Sequence, residues 1–176
     1  MNIYHYVNQS QLQEVLKRPV MDTVKIEKIV QPILEKVRRG GDRALKKLVL
    51  EYDHIELDEL WVSEEELKDA ENHVNANLKI AIEVAKKNIW KFHEAQQQSP
   101  ITVETMLGIT CKSKSVPIRN VGLYIPGGTA PLFSTVLMLG VPALIAGCKS
   151  ITIASPTNKM GKINPVVLYT AHLLGI

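Results

Sequence analysis

The sequence predicts a mixed α/β fold, in which an N-terminal helical region is followed by a β-hairpin and an incomplete parallel β-α-β-α unit. Apolar residues recur at helical spacing through residues 1–98. Short β-branched runs bounded by Pro and Gly begin only after Ser99-Pro100. Strands that are joined through helices pair in parallel, with a right-handed crossover. We therefore expect a helical domain at residues 1–98 and a second domain at residues 99–176.

The helical region is expected to contain several short amphipathic helices. They are predicted over about residues 9–16, 22–39, 42–52, 64–74 and 77–97. Gly40-Gly41 interrupts the apolar pattern and separates the second helix from the third. Ser63 and Glu66 have capping-box spacing, so each side chain is expected to accept from a free amide at the start of the fourth helix.

The second region alternates strands and helices. Strands are predicted over residues 101–106, 109–116, 121–125 and 149–154. Thr129 is expected to cap the first helix of the parallel unit, with Pro131 in its first turn. Pro142 is expected to break or restart that helix, which ends at Gly147, and the second helix covers residues 165–174. Two parallel strands and a hairpin make a thin sheet, so we expect a piece of a longer protein or a fold that a partner completes.

Charge is distributed unevenly along the chain. Residues 1–104 contain all 18 acidic residues and 15 of the 21 basic residues, whereas residues 105–176 contain six basic residues and no acidic residue. This asymmetry favours an anionic small ligand. Nucleic-acid binding is not expected, because the basic residues are scattered without aromatic neighbours.

The same composition bears on location. Pro, Gly or a charge interrupts every long apolar run, so we expect no membrane span, and the first residues do not have the pattern of a signal peptide. The two cysteines, Cys111 and Cys148, are not spaced as a disulfide scaffold or a metal site. Together these features predict a cytoplasmic protein.

The candidate ligand site is the loop Pro126-Gly127-Gly128 with the following Thr129. Adjacent glycines let a ligand approach the backbone, and a helix start offers amides to an anion. Loops at the carboxyl ends of parallel strands commonly hold ligands. The alternative is a tight turn that needs glycine for its geometry alone. The G-x-G-x-x-G dinucleotide pattern is absent, and no acidic residue follows to hold a ribose.

Tyr124 lies one residue before the end of the strand that precedes this loop. Its ring could pack on a flat ligand and its hydroxyl could hydrogen-bond, or it could be a half-buried core residue. No catalytic residue or metal ligand is assigned within the chain. The five histidines are far apart in sequence, and neither cysteine has a nearby histidine.

The stretch VGLYIPGGTAPLFSTVLMLGVPALIAGCK closely resembles the corresponding stretch of histidinol dehydrogenases. The segments RGGDRAL, NIWKFH and LYTA extend the resemblance, in order, over essentially the whole chain. The resemblance implies an enzyme of histidine biosynthesis that oxidises L-histidinol to L-histidine through the aldehyde, in two successive NAD-dependent steps. It further implies one zinc ion per site and an intertwined homodimer.

Members of that family are considerably longer than this chain. The resemblance therefore implies an N-terminal piece, whose zinc ligands and Glu-His acid–base pair lie beyond the matched region, so the chain alone is expected to be inactive. The family residue that carries over is an NAD-contacting tyrosine, at Tyr124, with residues 126–129 as its neighbours. The layout is also similar to that of aldehyde dehydrogenases, which implies a Rossmann-like unit. The alternative is a non-catalytic domain that binds a nucleotide or serves only structure and dimerisation.

Overall fold

The computed structural model describes residues 3, 5–6, 8–18, 23–127 and 131–176. The chain divides into two compact units, Met1–Leu48 and Val49–Ile176. The parallel strands and the helices that pack on them all lie in the second unit. The domain boundary expected between residues 98 and 99 stays a prediction.

The elements described in the first unit are helices. Helix α1 covers Gln9–Val15, and the Asn8 and Gln11 side chains close a capping box at its start. Helix α2 covers Thr23–Asp53 and continues into the second unit. At Gly41 the backbone has φ 52° and ψ −142°, so two helices meet there across a kink. The break predicted from Gly40-Gly41 is therefore confirmed.

The second unit continues with helix α3 at Glu64–Asp69, a 3-10 turn at Ala70–His73 and helix α4 at Ala76–Glu94. Ser63 caps α3 as predicted, because its hydroxyl accepts from the Glu66 amide at 3.1 Å. The reciprocal half of the box was predicted wrongly. The Glu66 carboxylate accepts instead from Lys162 Nζ at 3.1 Å, since an ion pair is available from a loop distant in sequence.

Strands β1, Ile101–Met106, and β2, Ile109–Ser113, form the expected antiparallel hairpin around a turn that contains Gly108. All the residues of both strands are exposed. The hairpin forms a two-stranded sheet of its own and is not hydrogen-bonded to the parallel strands. The expectation that it would extend the parallel sheet is therefore wrong, since the two pairs share no ladder.

Strands β3, Asn120–Tyr124, and β4, Ser150–Ala154, pair in parallel with Asn120 opposite Ser150 and Tyr124 opposite Ala154. Helix α5, Phe133–Ala146, connects them, and helix α6, Pro165–Leu174, follows. Residues alternate between partly buried and exposed along both strands, because successive side chains point to opposite faces. One face of the pair is thus covered and the other is open. The predicted β-α-β-α order is confirmed.

Helix α5 runs through Pro142 without ending, so the predicted break there is wrong. A proline inside a helix costs about 3 kcal/mol. Val136, Leu137 and Val141 are each 0% exposed. Burying three such side chains contributes roughly 1.5–3 kcal/mol each, which outweighs that cost.

The hydrophobic core lies between α4, α5 and α6. Ile82 of α4 is fully buried there, and Tyr169 of α6 is 8% exposed. Burial raises the pKa of the Tyr169 phenol, and the charges of Glu83 and Glu71 raise it further. Lys79 Nζ lies 5.6 Å from the centroid of the same ring, within the range of a cation–π interaction.

Helix α4 also supplies hydrogen bonds to the ends of the other two helices. Lys86 Nζ donates to the carbonyl oxygen of Leu173 at 3.0 Å, near the end of α6. Just beyond α4, Gln97 Nε2 donates to the carbonyl oxygen of Ile145 at 2.9 Å, near the end of α5. Carbonyls in the last turn of a helix lack intrahelical partners, so these bonds satisfy acceptors that water would otherwise have to reach.

Candidate functional site

The carboxyl edge of the parallel pair is formed by the ends of β3 and β4. Tyr124 and Ala154 are the last residues in register. The ladder continues one bond further, because the Ile125 amide donates to the Ala154 carbonyl oxygen at 2.8 Å. Ile125 is 0% exposed, so this bond closes the sheet above the core. The two strands are therefore held together up to the point where their loops begin.

Tyr124 lies on the open face of the sheet. Its side chain is 64% exposed, whereas the preceding Leu123 is half-buried on the covered face. The alternative that Tyr124 is a half-buried core residue is therefore wrong. The pleat places its ring on the face opposite Leu123, where a flat ligand can reach it.

Gly122, Thr152 and Ala154 lie on the same face as Tyr124, and all three are exposed. None of the three has a large side chain. The open face around the tyrosine is therefore shallow, and the ring stands above its neighbours.

Two of the predicted loop residues, Pro126 and Gly127, are described, and both are exposed. Gly128 and Thr129 lie outside the described residues. Gly127 lies directly against the loop that follows β4, since a methyl group added at its Cα would be 2.5 Å from Pro156 Cγ. Sequence reasoning missed Pro156, because nothing in the sequence pairs this residue with the glycine loop.

Helix α5 begins later than predicted. Its first residue is Phe133, its N-cap is Leu132, and no side chain accepts a hydrogen bond at that cap. The expectation that Pro131 lies in the first helical turn is therefore wrong. Leu132 and Phe133 both pack against the core, so burial fixes the start of the helix without a polar cap.

A second concavity lies away from these loops, between α3, the 3-10 turn and α6. Its volume is about 520 Å³. Four of its ionisable residues are paired, since His73 Nε2 lies 3.0 Å from Asp69 Oδ2 and Lys162 bonds to Glu66. Hydrogen bonds from Asn72 and His73 hold the pKa of Asp69 below its ordinary value. These pairs stabilise one another, and we assign no chemistry to the concavity.

The structure brings no metal-binding group together among the residues that it describes. Within those ranges, no three His, Cys, Asp or Glu side chains are grouped so as to hold an ion. Both cysteines are free thiols, Cys111 exposed on β2 and Cys148 partly buried after α5. Across the described part of the chain, no helix is long and apolar enough to cross a bilayer.

Comparison with protein families adds a match over most of the chain. Residues 16–176 match the family model described as histidinol dehydrogenase. The chain is 48% identical over 176 residues to a histidinol dehydrogenase of Bacteroides fragilis, and the match covers 100% of this chain and 41% of that protein. It is 40% identical to a histidinol dehydrogenase of Buchnera aphidicola subsp. Diuraphis noxia, and covers 99% of this chain and 87% of that shorter protein.

Solved structures agree with the sequence match. A crystal structure of histidinol dehydrogenase from Elizabethkingia anophelis superposes with a TM-score of 0.91 and 42% identity, over 97% of this chain and 39% of that one. The chain thus spans about two fifths of the length of the first relatives it matches, with 41% coverage in each Bacteroides protein.

Proposed function

This chain belongs to the histidinol dehydrogenase family, and from that premise we propose that it forms the N-terminal, NAD-contacting part of an enzyme that oxidises L-histidinol to L-histidine. The match over residues 16–176 carries the proposal. Two successive oxidations through the aldehyde would each pass a hydride to NAD. When bound in the complete enzyme, zinc would polarise the alcohol.

The proposed cofactor contact is Tyr124, with the loop from Pro126 to Thr129 as its neighbour. The exposed ring at the carboxyl edge supports this role, because ligands of parallel α/β sheets bind at that edge. The small side chains around the ring support it further, since they leave its face open. Tyr124 would bind and orient the dinucleotide by stacking and by its hydroxyl.

NAD titration of the chain tests the cofactor site. Saturable quenching of the tryptophan and tyrosine fluorescence is expected, and Tyr124→Phe is expected to weaken binding because the hydroxyl is lost. Tyr52→Phe is the matched control, since Tyr52 is 60% exposed and Tyr124 is 64% exposed. An unaltered titration for Tyr124→Phe and Tyr124→Ala would exclude the contact. A wild-type chain that does not respond to NAD would favour a purely structural domain.

We propose that the chain by itself does not oxidise histidinol. In the family that it resembles, the zinc ligands and the acid–base pair lie outside the matched region. Histidinol-dependent NADH formation, followed at saturating NAD with zinc added, should therefore not exceed the rate measured in buffer without protein. Turnover by the purified 176-residue chain would contradict this expectation.

We further propose a homodimer, located in the cytoplasm. The two free thiols are consistent with a reducing compartment. The hairpin supports association, because Ile101 and Val103 are 60% and 50% exposed on one of its faces. Sedimentation velocity is expected to show dimers that Val103→Lys weakens. Thr102→Lys, on the opposite face, is the control, and a monomeric wild-type chain would refute the proposal.

A further inference from the structure

The loops that leave β3 and β4 touch each other at Gly127 and Pro156. This contact lies just beyond the Ile125–Ala154 hydrogen bond, which is the last bond of the parallel ladder. Gly127 lies three residues after Tyr124, and Pro156 lies two residues after Ala154, the partner of Tyr124 in the ladder. The separation of the loops at this contact sets the room for a ligand at the carboxyl edge, next to the strand end that carries Tyr124.

Gly127 fits this position because of its neighbour. A Cβ at residue 127 would lie 2.5 Å from Pro156 Cγ, 3.5 Å from its Cβ and 3.7 Å from its Cδ. Carbon atoms in contact are separated by about 3.5–4.0 Å, so any larger side chain would push the loops apart by about 1 Å.

The proline ring can yield only by a change of pucker, which shifts Cγ less than rotation shifts the end of a longer side chain. It is closed onto its own backbone nitrogen and fixes φ near −65°, so it lacks the free rotation of a longer side chain. Displacing it means moving the backbone of the loop after β4. The loop after β3 is the other part that can yield, and Tyr124 ends the strand that leads into it.

We propose that Gly127 and Pro156 form a positioning contact for the dinucleotide, which holds the two loops at the separation that NAD needs beside Tyr124. The inference rests on the proposed function and gives Gly127 a role distinct from direct contact with phosphate. Sites built on loops need a supporting contact of this kind, because loops hold their geometry less precisely than strands. A fixed loop also avoids the ordering cost that binding would otherwise incur.

Three variants test the contact: Gly127→Ala, Pro156→Ala and the double variant. Gly127→Ala is expected to raise the Kd for NAD about tenfold, because the added methyl displaces the loops. Pro156→Ala removes the Cγ and Cδ atoms, so the nearest remaining neighbour of a methyl at 127 is the residue 156 Cβ at 3.5 Å, an ordinary contact. The double variant should therefore bind NAD within about threefold of Pro156→Ala alone.

Binding by Gly127→Ala equal to wild type would overturn the proposal, as would a double variant that stays as weak as Gly127→Ala. Should Gly127→Ala fail to fold, the proline substitution must restore both folding and binding. If the methyl group acted by blocking a phosphate directly, the double variant would not recover. The recovery therefore separates positioning from direct contact.

Hydrogen exchange of the Ile125 amide gives a readout that does not need NAD. Its exchange rate should rise in Gly127→Ala and return in the double variant, since its bond to the Ala154 oxygen lies beside the contact. A wild-type chain that does not bind NAD would refute the proposed cofactor site, and the exchange data would still decide whether the loops are coupled. Normal NAD binding with unchanged exchange in all variants would refute the contact and leave the cofactor site standing.

Discussion

Replacing Gly140 by alanine tests how closely α5 and α6 pack. A Cβ at residue 140 would lie 2.7 Å from Leu174 Cδ1 and 3.0 Å from Ile176 Cδ1. Leu174 is 7% exposed, so its methyl group has little free space into which to rotate. The substitution is therefore expected to stabilise the helix and to destabilise the packing of the core.

The two effects have opposite signs and different sizes. Alanine is more stable than glycine inside a helix by about 0.5–1 kcal/mol, because glycine loses more backbone entropy on folding. Inserting a methyl group into a packed core costs about 1–3 kcal/mol. We therefore expect Gly140→Ala to lower the free energy of unfolding by roughly 1 kcal/mol, which corresponds to a fall in Tm of about 2–4 °C for a chain of this size.

Urea denaturation followed by circular dichroism measures the change, with the m-value expected to stay constant. The control repeats the substitution in a Leu174→Ala background, which itself costs about 2–5 kcal/mol. There only the 3.0 Å contact with the partly exposed Ile176 remains, so the gain in helix stability should dominate, and Gly140→Ala should raise the stability of that background by about 0.5 kcal/mol. A stabilising effect in the wild-type chain, or the same destabilisation in both backgrounds, would refute the reasoning.

Three further outcomes are expected. Ile82→Ala should lower the free energy of unfolding by about 2–5 kcal/mol in the same assay, because Ile82 is 0% exposed. Ile80→Ala, at a site that is 63% exposed, should lower it by under about 1 kcal/mol. Equal effects would contradict the assignment of Ile82 to the buried face of the helix. Lys86→Met should cost about 1 kcal/mol through loss of the bond to the Leu173 carbonyl, and no change in the urea midpoint would show that water replaces it. Burial raises the pKa of Tyr169, so the folded chain holds the phenol proton more tightly than the unfolded chain does. The free energy of unfolding should therefore fall as the pH rises above 10.0, the ordinary pKa of tyrosine. Between about pH 9 and about pH 11, the urea midpoint should fall less for Tyr169→Phe than for the wild-type chain.

Local signals predicted the elements whose ends are fixed by local chemistry. Strand β1 has the predicted bounds, Ile101–Met106, because Pro100 and the turn at Gly108 mark its ends. Ser63 caps α3 through a bond within the same turn. The parallel strands β3 and β4 coincide with short β-branched runs, which are a local signal of the same kind.

Features that depend on distant residues could not be predicted in this way. Pro142 stays inside α5 because the helix is buried on α4 and α6, which its own sequence does not encode. The carboxyl edge shows the same limit. The place of Tyr124 near a strand end makes it a candidate, and the resemblance gives it the NAD contact. Pro156, in contrast, becomes a neighbour of Gly127 only when both strands are paired.

The hydrogen bonds from the α4 region to the ends of α5 and α6 have a consequence for synthesis on the ribosome. Lys86 and its acceptor Leu173 are 87 residues apart, and Gln97 and Ile145 are 48 residues apart. At about 5–20 residues per second, the ribosome therefore needs roughly 4–17 seconds to extend the chain from Lys86 to Leu173. During that interval, the apolar face of α4 around Ile82 is not yet covered by both α5 and α6. The nascent chain thus presents an uncovered amphipathic helix to the translation machinery, a surface of the kind that chaperones protect.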